Sequence, residues 1–365
     1  MTDAEATAVA EEASPGGPGD VTVRFRSALR RFWHPVCTEA ELAEARHGDG
    51  GVLGVELLGE QLVVADVEGG LIALRDRCLH RSTRLSVGWV CGSTVQCAYH
   101  GWRWDGTGRC VEIPSMPDGP IPGRARIDAF EVQRAHGLVW VRLEAGWPTS
   151  VPSNPGWDDP GLRAVMGTPY IWPTSAERRV ENFIDLSHFA WIHDQTLSTR
   201  SATVPPVPAV RREAGELRFE YDPPVLPPSE GLALIGWSAY RVIVPGTVDI
   251  EFDVPGAGRR HLWMTACPLD ADDTAVRCYW TMSRSDDQDG DDEPYMTFQQ
   301  LILDQDKPVI VAQHPANIPF QPGGEISVRT DRVSIELRRW LTEIAATSTP
   351  DELERVLGPA ASPAP

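Results

Sequence analysis

Four residues of the types that bind metal ions lie close together in the first third of the sequence. Cys78 and His80 have one residue between them, and Cys97 and His100 have two, which gives the pattern C-x-H-x16-C-x2-H. Thiolates and imidazoles are ligands for zinc and for iron. Each pair lies in a predicted loop between strands, so two loops of one small sheet can bring all four side chains to a single centre.

The order of these residues bears on which metal centre they form. Two thiolates and two imidazoles would satisfy a structural zinc ion, which is the alternative, but zinc fingers usually carry like residues in each loop. Here each loop carries one cysteine and one histidine, which favours a [2Fe-2S] cluster of the Rieske type, with two cysteines on one iron and two histidines on the other. Neutral imidazoles raise the reduction potential, so the cluster would accept electrons from a carrier. Cys91, between the loops, matches no ligand position.

A second group of polar residues lies in the stretch ENFIDLSHFAWIH, residues 181–193. The stretch is apolar on nearly every side of a helix and therefore predicts a buried helix. Burying Asn182, Asp185, His188 and His193 without partners would cost about 1–3 kcal/mol for each group, and more for a charge. His188 and His193 are five residues apart, so the helix must end or bulge for both rings to converge. Two histidines and one carboxylate on Fe(II) leave coordination positions open for oxygen.

Both groups resemble motifs of one family, the Rieske non-heme iron oxygenases. The segments DRCLHRSTRLSVG and YHGWRWDGTGRC resemble that family over the whole N-terminal domain, and N-x2-D-x2-H-x4-H resembles its mononuclear iron motif. The resemblance implies an alpha, or terminal oxygenase, subunit in which His188 and His193 bind the mononuclear iron. It also assigns catalytic roles to Asn182 and Asp185.

The resemblance further implies that Asp185 connects the two metal centres. In this family the corresponding aspartate bridges an iron-binding histidine and a cluster histidine of a neighbouring subunit. Asp185 would therefore contact His188 of its own chain and His100 of the next one. A carboxylate that accepts from both imidazoles fixes their orientation and offers a short electron path. A purely local structural role for Asp185 is the alternative.

The third iron ligand must be an acidic residue far along the sequence. The run LILDQDKPVIVAQ offers Asp304 and Asp306, and the family's carboxylate typically precedes a lysine or arginine, with a glutamine several residues on. Asp306 matches that frame, so we predict it as the ligand and Asp304 as part of a solvated helix face. Pro308 departs from a regular helix.

The resemblance implies an enzyme that uses O2 to hydroxylate, dihydroxylate, N-oxygenate or oxidatively demethylate a small, aromatic or heteroaromatic substrate. Electrons would come from a separate ferredoxin or ferredoxin reductase, because the chain has no nucleotide-binding glycine fingerprint, and NAD(P)H would act only indirectly. The D-K-P-V-I-V-A-Q frame resembles the branch without a beta subunit, which forms homotrimers. The alternative is a Rieske-type electron-transfer protein without oxygenase chemistry. Candidate substrate-facing residues are Phe189, Trp191, Trp237, Tyr240, Trp263 and Trp280, and for each of them packing in the core is the alternative.

The elements that must position these residues divide the chain into two domains. Period-two alternation and D-G and G-G turns predict a small all-β domain over residues 30–147, which the resemblance implies is the Rieske domain. Residues 160–347 mix predicted strands and helices, which indicates an α+β catalytic domain: an antiparallel sheet flanked by helices, helix-grip-like. Residues 1–20 and 348–365 are rich in Ala, Gly, Pro, Ser and acidic residues, which predicts a disordered N-terminal tail and a flexible C-terminal one.

The composition limits the partners of the chain. Its 365 residues include 33 Lys+Arg and 52 Asp+Glu, a net charge of −19, which repels nucleic acids and anionic lipid surfaces. No stretch approaches the roughly 20 apolar residues of a membrane span, and the N-terminal residues do not resemble a signal peptide. We therefore expect a cytoplasmic protein with neither nucleic-acid nor membrane partners. Four other cysteines are predicted to be buried small hydrophobes, namely Cys37, Cys110, Cys267 and Cys278.

Overall fold

The computed structural model describes residues 18–48, 50–146, 150–222, 236–320 and 323–358. The N-terminal part contains two helices and ten strands: α1 (Pro18–Leu29), β1 (His34–Thr38), α2 (Glu39–Gly48), β2 (Val52–Leu57), β3 (Glu60–Val67), β4 (Gly70–Arg75), β5 (Trp89–Cys91), β6 (Thr94–Gln96), β7 (Arg103–Asp105), β8 (Cys110–Glu112), β9 (Ala129–Ala135) and β10 (Leu138–Arg142). Six strands form one antiparallel sheet in the order β1-β10-β9-β4-β3-β2, and β5-β6-β7-β8 form a second. The predicted small antiparallel-sheet domain is confirmed.

The two loops that carry the predicted cluster ligands lie at the second, four-stranded sheet. Cys78 and His80 follow β4, and Cys97 and His100 connect β6 to β7. Both cysteines belong to a hydrophobic core that joins the two sheets and includes the buried Trp104. The sequence also predicts four other cysteines to be buried, and the structure confirms this for Cys37, Cys110, Cys267 and Cys278.

The C-terminal part is one antiparallel sheet with helices packed on it. Its elements are α3 (Pro155–Asp158), β11 (Arg163–Met166), β12 (Tyr170–Trp172), α4 (Ala176–Ile184), α5 (Phe189–Ile192), β13 (Arg211–Glu213), β14 (Glu216–Tyr221), β15 (Ser238–Ile243), β16 (Thr247–Val254), β17 (Gly258–Pro268), β18 (Val276–Arg284), α6 (Glu293–Ile310), α7 (Arg332–Ala345) and α8 (Pro350–Leu357). The strand order is β11-β18-β17-β16-β15-β14-β13, and β12 also pairs with β18. The predicted α+β class is confirmed. Among the described residues, no helix combines the length and apolar character needed to cross a bilayer.

One large hydrophobic core lies between this sheet and its helices, and it includes a helix from the start of the chain. Phe25 and Leu29 of α1 pack in the same cluster as Leu337 and Trp340 of α7. A second cluster joins the six-stranded sheet of the N-terminal part to the C-terminal sheet, and the rings of Trp140 and Trp263 lie 6.2 Å apart in it. The two domains are therefore packed against each other through apolar side chains.

The predicted terminal tails differ in part from the structure. Helix α1 begins at Pro18, and residues 1–17 lie outside the described part of the chain. The flexible tail predicted over residues 348–365 is wrong for Pro350–Leu357, which forms α8 with Leu353 and Leu357 buried. The Thr349 side chain accepts a hydrogen bond from the Glu352 backbone in a capping box, and proline occupies the first turn, so local signals outweigh the average composition. Residues 359–365 lie outside the described part.

The buried helix predicted over residues 181–193 is interrupted in the middle. Helix α4 ends at Ile184, and Asp185 has extended backbone angles, φ −79° and ψ 125°. The chain then enters α5, a single turn flanked by His188 at its start and His193 at its end. The expectation that the helix must end for the two imidazoles to converge is confirmed.

Candidate metal centres and active-site cavity

Two similar turns hold the cysteine and histidine pairs of the N-terminal domain. The Ser82 backbone N–H donates to the Cys78 carbonyl at 2.9 Å, and the Gly101 N–H donates to the Cys97 carbonyl at 3.0 Å. Gly101 has φ +73°, a left-handed conformation that a side chain would strain. Each turn therefore curls its cysteine inward and leaves its histidine at the tip.

The side chains of the two turns lie beside each other in like pairs, cysteine with cysteine and histidine with histidine. Cys78 and Cys97 are buried, and the rings of His80 and His100 lie 4.4 Å apart at the surface side of the group. The Nδ1 atom of His80 is buried without a hydrogen-bond partner among the described residues. Trp102 stacks on the His80 ring at 4.7 Å. Two sulfur and two nitrogen donors in this order fit a Rieske cluster.

The surroundings of the Cys78 thiol show that its thiolate needs a positive charge close by. Burial raises the pKa of Cys78 to about 11, and the neighbouring Cys97 adds to the increase although the His80 backbone N–H opposes it. Two buried thiolates side by side are therefore unfavourable without positive charge. Cluster iron supplies that charge, since metal coordination deprotonates a thiol.

A second group of potential ligands lies in the C-terminal domain. The Oδ1 atom of Asp306, on α6, is 3.2 Å from the His193 Nε2 atom and 3.7 Å from the His188 Nε2 atom. The ligand atoms of these three residues all lie within 4.8 Å of one another. The set of two imidazoles and one carboxylate is that of non-heme Fe(II) oxygenases, with open positions on the metal.

Neighbouring groups orient each of these residues. The Nδ1 atom of His193 lies 2.8 Å from the Gln305 Oε1 atom, so its Nδ1 carries the proton and its Nε2 is left to bind a metal. The Asp185 Oδ2 atom approaches His188 Nδ1 to 3.4 Å. Both imidazoles therefore turn Nε2 towards Asp306.

The carboxyl group of Asp306 stays ionised although it is buried. Burial raises its pKa, but the contact with His193 and the charge of Arg179, whose Nη1 atom lies 3.6 Å from Oδ2, outweigh that effect, so the pKa falls below its ordinary value. An anionic carboxylate between two imidazoles is the form that binds a divalent metal.

A large cavity ends at this group of residues. Its volume is about 800 Å³, within the usual range for small-molecule sites. Its walls are mostly apolar and come from the sheet and from the helices that cover it, among them Phe183, Phe189, Tyr240, Ile250, Phe252, Leu262 and Ile302. A molecule in this cavity would contact both the apolar walls and the metal-binding residues.

The structure brings some of the predicted site residues together and separates others. Asp306 lies with the two histidines, whereas Asp304 is exposed and accepts a hydrogen bond from Gln300.

Of the aromatic candidates, Phe189, Trp237 and Tyr240 line the cavity. Three others do not line it: Trp263 and Trp280, which are buried in the cores, and Trp191, which is 56% exposed.

Gln299 and Arg179 are two of the site residues that were not predicted from the sequence. Gln299 is 4% exposed, lines the cavity, and has no side-chain partner among the described residues. It lies on the buried stripe of α6 with Ile302 and Asp306, and this i, i+3, i+7 spacing is the signal that could have found it. Arg179 has no comparable signal, because a charged residue in a short helix is ordinarily solvated.

The fold and the two ligand sets together define an iron-dependent oxygenase with an attached Rieske domain. Residues 32–131 match the family described as "Rieske [2Fe-2S] domain", and residues 172–347 match "Vanillate O-demethylase oxygenase C-terminal domain". The chain is 41% identical to methylxanthine N1-demethylase NdmA of Pseudomonas putida over 321 residues, which cover 87% of this chain and 90% of that protein. It is 39% identical to methylxanthine N3-demethylase NdmB of the same species over 333 residues, which cover 88% and 91%.

A solved structure, Pseudomonas putida CBB5 NdmA with caffeine, matches with a TM-score of 0.84 and 37% identity, over 92% of this chain and 96% of that one. The chain therefore belongs to the Rieske non-heme iron oxygenases, in the branch whose oxygenase has no beta subunit. It is a terminal oxygenase that uses O2 and externally supplied electrons to oxygenate a small aromatic or heteroaromatic substrate. Its cofactors are a Rieske [2Fe-2S] cluster and a mononuclear non-heme iron. This overturns both alternatives, a zinc-stabilised domain and a carrier without oxygenase chemistry.

Proposed function

We propose that this oxygenase is an oxidative N-demethylase of flat, N-methylated bicyclic heteroaromatic compounds of the methylxanthine class. The observation that carries the proposal is the apolar cavity of about 800 Å³ that ends at His188, His193 and Asp306. The identity of about two fifths to two methylxanthine demethylases, over nearly the whole length of each, supports the same substrate class.

The cavity suits a planar ring system that carries a few polar atoms. Aromatic rings of Phe189, Tyr240 and Phe252 line it, and such rings stack on flat heterocycles. Among apolar neighbours, the Gln299 amide offers both a donor and an acceptor. A ring carbonyl and an adjacent ring nitrogen would satisfy that amide, whereas a hydrocarbon ring would leave it buried without a partner.

The roles of the metal-binding residues belong to the same proposal. Cys78, His80, Cys97 and His100 hold the cluster, which is supported by their convergence and by the buried, unsatisfied Nδ1 atom of His80. The mononuclear iron is held by His188, His193 and Asp306. This assignment is supported by their ligand atoms, which lie within 4.8 Å of one another. When bound, the iron supplies the activation of O2. The chain's own residues hold the N-methyl carbon beside it and exclude water.

Electron supply requires a second protein and, in the proposal, a second copy of this chain. A ferredoxin or reductase delivers electrons to the cluster, because this chain has no nucleotide-binding glycine fingerprint. His100 lies exposed at the tip of its loop, and 36% of the Asp185 side chain is exposed. In a homotrimer, His100 of one subunit would meet Asp185 of the next, and electrons would pass through Asp185 to His188. Asn182, whose amide lies 3.4 Å from Asp306, would help to orient that carboxylate.

A cytoplasmic location completes the proposal. All seven cysteines lie in the described part of the chain, and none of them forms a disulfide. Free thiols persist in the reducing cytoplasm, where soluble electron carriers can also reach the cluster.

Turnover with a surrogate reductase tests the proposed reaction. The substrates are purine-2,6-diones that carry one methyl group at different ring nitrogens, with the unmethylated ring as the matched control. Oxidation of the methyl carbon by one oxygen atom of O2, with two electrons and two protons, gives the N–H ring, formaldehyde and water. We expect one formaldehyde to form for each O2 consumed, and we expect deuterated formaldehyde from a trideuteromethyl substrate. A ring-hydroxylated product that keeps its methyl group would overturn the proposal.

A further inference from the structure

Arg179 is a fully buried arginine beside the proposed iron ligands. Its side chain is 0% exposed, and its Nε–H donates to the Tyr170 hydroxyl at 2.7 Å. The guanidinium carbon lies 4.6 Å from the centre of the Trp172 ring and 4.1 Å from that of Phe183. Aromatic faces attract a cation but do not neutralise it. A charge at this depth must therefore be balanced by an anion of the protein.

The Asp306 carboxylate supplies that anion, and Asn182 lies between the two groups. The Arg179 Nη1 atom is 3.6 Å from the Asp306 Oδ2 atom and also contacts the Asn182 Oδ1 atom. Arginine has only donors, so Asn182 must present its oxygen to Arg179 and its NH2 group to an acceptor. That acceptor is the Asp306 Oδ1 atom, 3.4 Å away. Arg179 thereby orients both neighbours.

The two oxygens of Asp306 consequently have different surroundings. Oδ1 faces the Nε2 atoms of His193 and His188, whereas Oδ2 faces Arg179. A carboxylate can bind a metal through one oxygen or through both. A guanidinium 3.6 Å from Oδ2 would compete with a bound metal for that oxygen, because its positive charge attracts the same anionic oxygen.

We propose that Arg179 is a positioning residue that restricts Asp306 to binding the iron through Oδ1 alone, which keeps a further coordination position open for a small ligand. The proposal rests on the metal ligands proposed above and deepens the account of that site. It does not depend on the identity of the substrate.

The test uses the full chain with its cluster intact and cobalt(II) in the mononuclear site. Temperature-dependent magnetic circular dichroism reports the coordination number of the cobalt, and the oxidised cluster, being diamagnetic, adds no temperature-dependent signal. In Arg179→Met we expect a shift towards a higher coordination number and azide binding to the cobalt weakened roughly tenfold. Arg179→Lys restores a cation, so it should recover part of the original coordination number and part of the original azide affinity.

A matched control is available one residue away on the same helix. Arg178 is also buried, but it pairs with Glu325 instead of Asp306, so Arg178→Met should leave the cobalt spectrum and azide affinity unchanged. Tyr170→Phe removes only the hydroxyl that holds Arg179, so it should change the cobalt spectrum and the azide affinity by an intermediate amount. This variant still tests the proposal if Arg179→Met does not fold. A spectrum and azide affinity unchanged in the Arg179 and Tyr170 variants would overturn the positioning role. Failure of the unsubstituted chain to bind cobalt would instead overturn the ligand set, and neither result depends on demethylation.

Discussion

The Oδ2 atom of Asp185 lies 3.4 Å from the Nδ1 atom of His188, while 36% of the Asp185 side chain remains exposed. Burial of the rest of the group raises its pKa, but contact with His188 and the Ser187 backbone N–H outweigh that effect, so the pKa lies below its ordinary value. Asp185 is therefore an anion that touches a proposed iron ligand on one side and is open to a partner on the other.

Asp185→Asn should interrupt electron transfer without removing either metal. The amide keeps the size of the side chain but cannot accept hydrogen bonds at both positions or stabilise positive charge on two imidazoles. We expect the pre-reduced cluster to be oxidised roughly 10- to 100-fold more slowly when substrate and O2 are added. Stopped-flow absorbance of the cluster measures this rate. Asp304→Asn, on the exposed face of α6, is the control, and an unaltered rate in Asp185→Asn would contradict the bridging role.

His193→Ala should remove the mononuclear iron and leave the cluster in place. His193 is 1% exposed and lies in the C-terminal domain, whereas the cluster cysteines belong to a separate hydrophobic core. We expect the variant to retain cluster iron and its visible absorption but to lose the remaining iron and all turnover. Iron analysis and the visible spectrum measure this, with the exposed His314→Ala as control. Loss of the cluster absorption as well would show that the two centres are not separate.

Gln299→Leu should weaken the binding of heteroaromatic substrates. The amide is buried in the cavity, and a substrate carbonyl or N–H that loses it is left without a partner at a cost of about 1–2 kcal/mol. We expect KM for the best methylated substrate to rise roughly tenfold with a smaller change in kcat. Gln300 is the exposed neighbour of Gln299 on α6, so Gln300→Leu is the control variant. Equal KM values in the two variants would mean that Gln299 does not contact the substrate.

Ligands that are close together in the sequence could be predicted, because their spacing alone brings them together. Cys78 and His80 share one turn, and His188 and His193 flank a single turn of helix. Asp306 could be predicted only through its resemblance to a family frame, since packing of α6 against α4 and α5 brings it to the histidines. The position of Arg179 depends wholly on that packing, and no local pattern distinguishes it from the neighbouring Arg178.

The aromatic residues show the limit of periodicity for predicting a cavity. Neighbouring residues of a strand point to opposite faces of a sheet, so Leu262 and Trp263 of β17 must lie on different sides. Leu262 lines the cavity and Trp263 packs against the N-terminal domain. Alternation predicts that the two residues are separated, but only the arrangement of the covering helices decides which face encloses the cavity.

His34 is a buried histidine at the junction of α1 and β1. It is 2% exposed, and its Nε2 atom lies 2.8 Å from the Leu29 carbonyl oxygen at the end of α1. Burial lowers its pKa from 6.5 to about 4, although the hydrogen bond to Leu29 opposes the decrease. The folded protein therefore holds a neutral imidazole that the unfolded chain protonates more readily.

This difference makes stability depend on pH in a defined direction. Because the pKa is lower in the folded state, the contribution of His34 is fully present above pH 6.5 and is lost as the pH falls towards 4. Between pH 7 and pH 5 the free energy of unfolding should fall by about 2 kcal/mol more in the wild type than in His34→Gln, which cannot titrate. Urea unfolding at the two pH values measures the difference, with the exposed His314→Gln as control. If the His34 variant loses as much stability as the wild type, the acid sensitivity arises elsewhere in the chain.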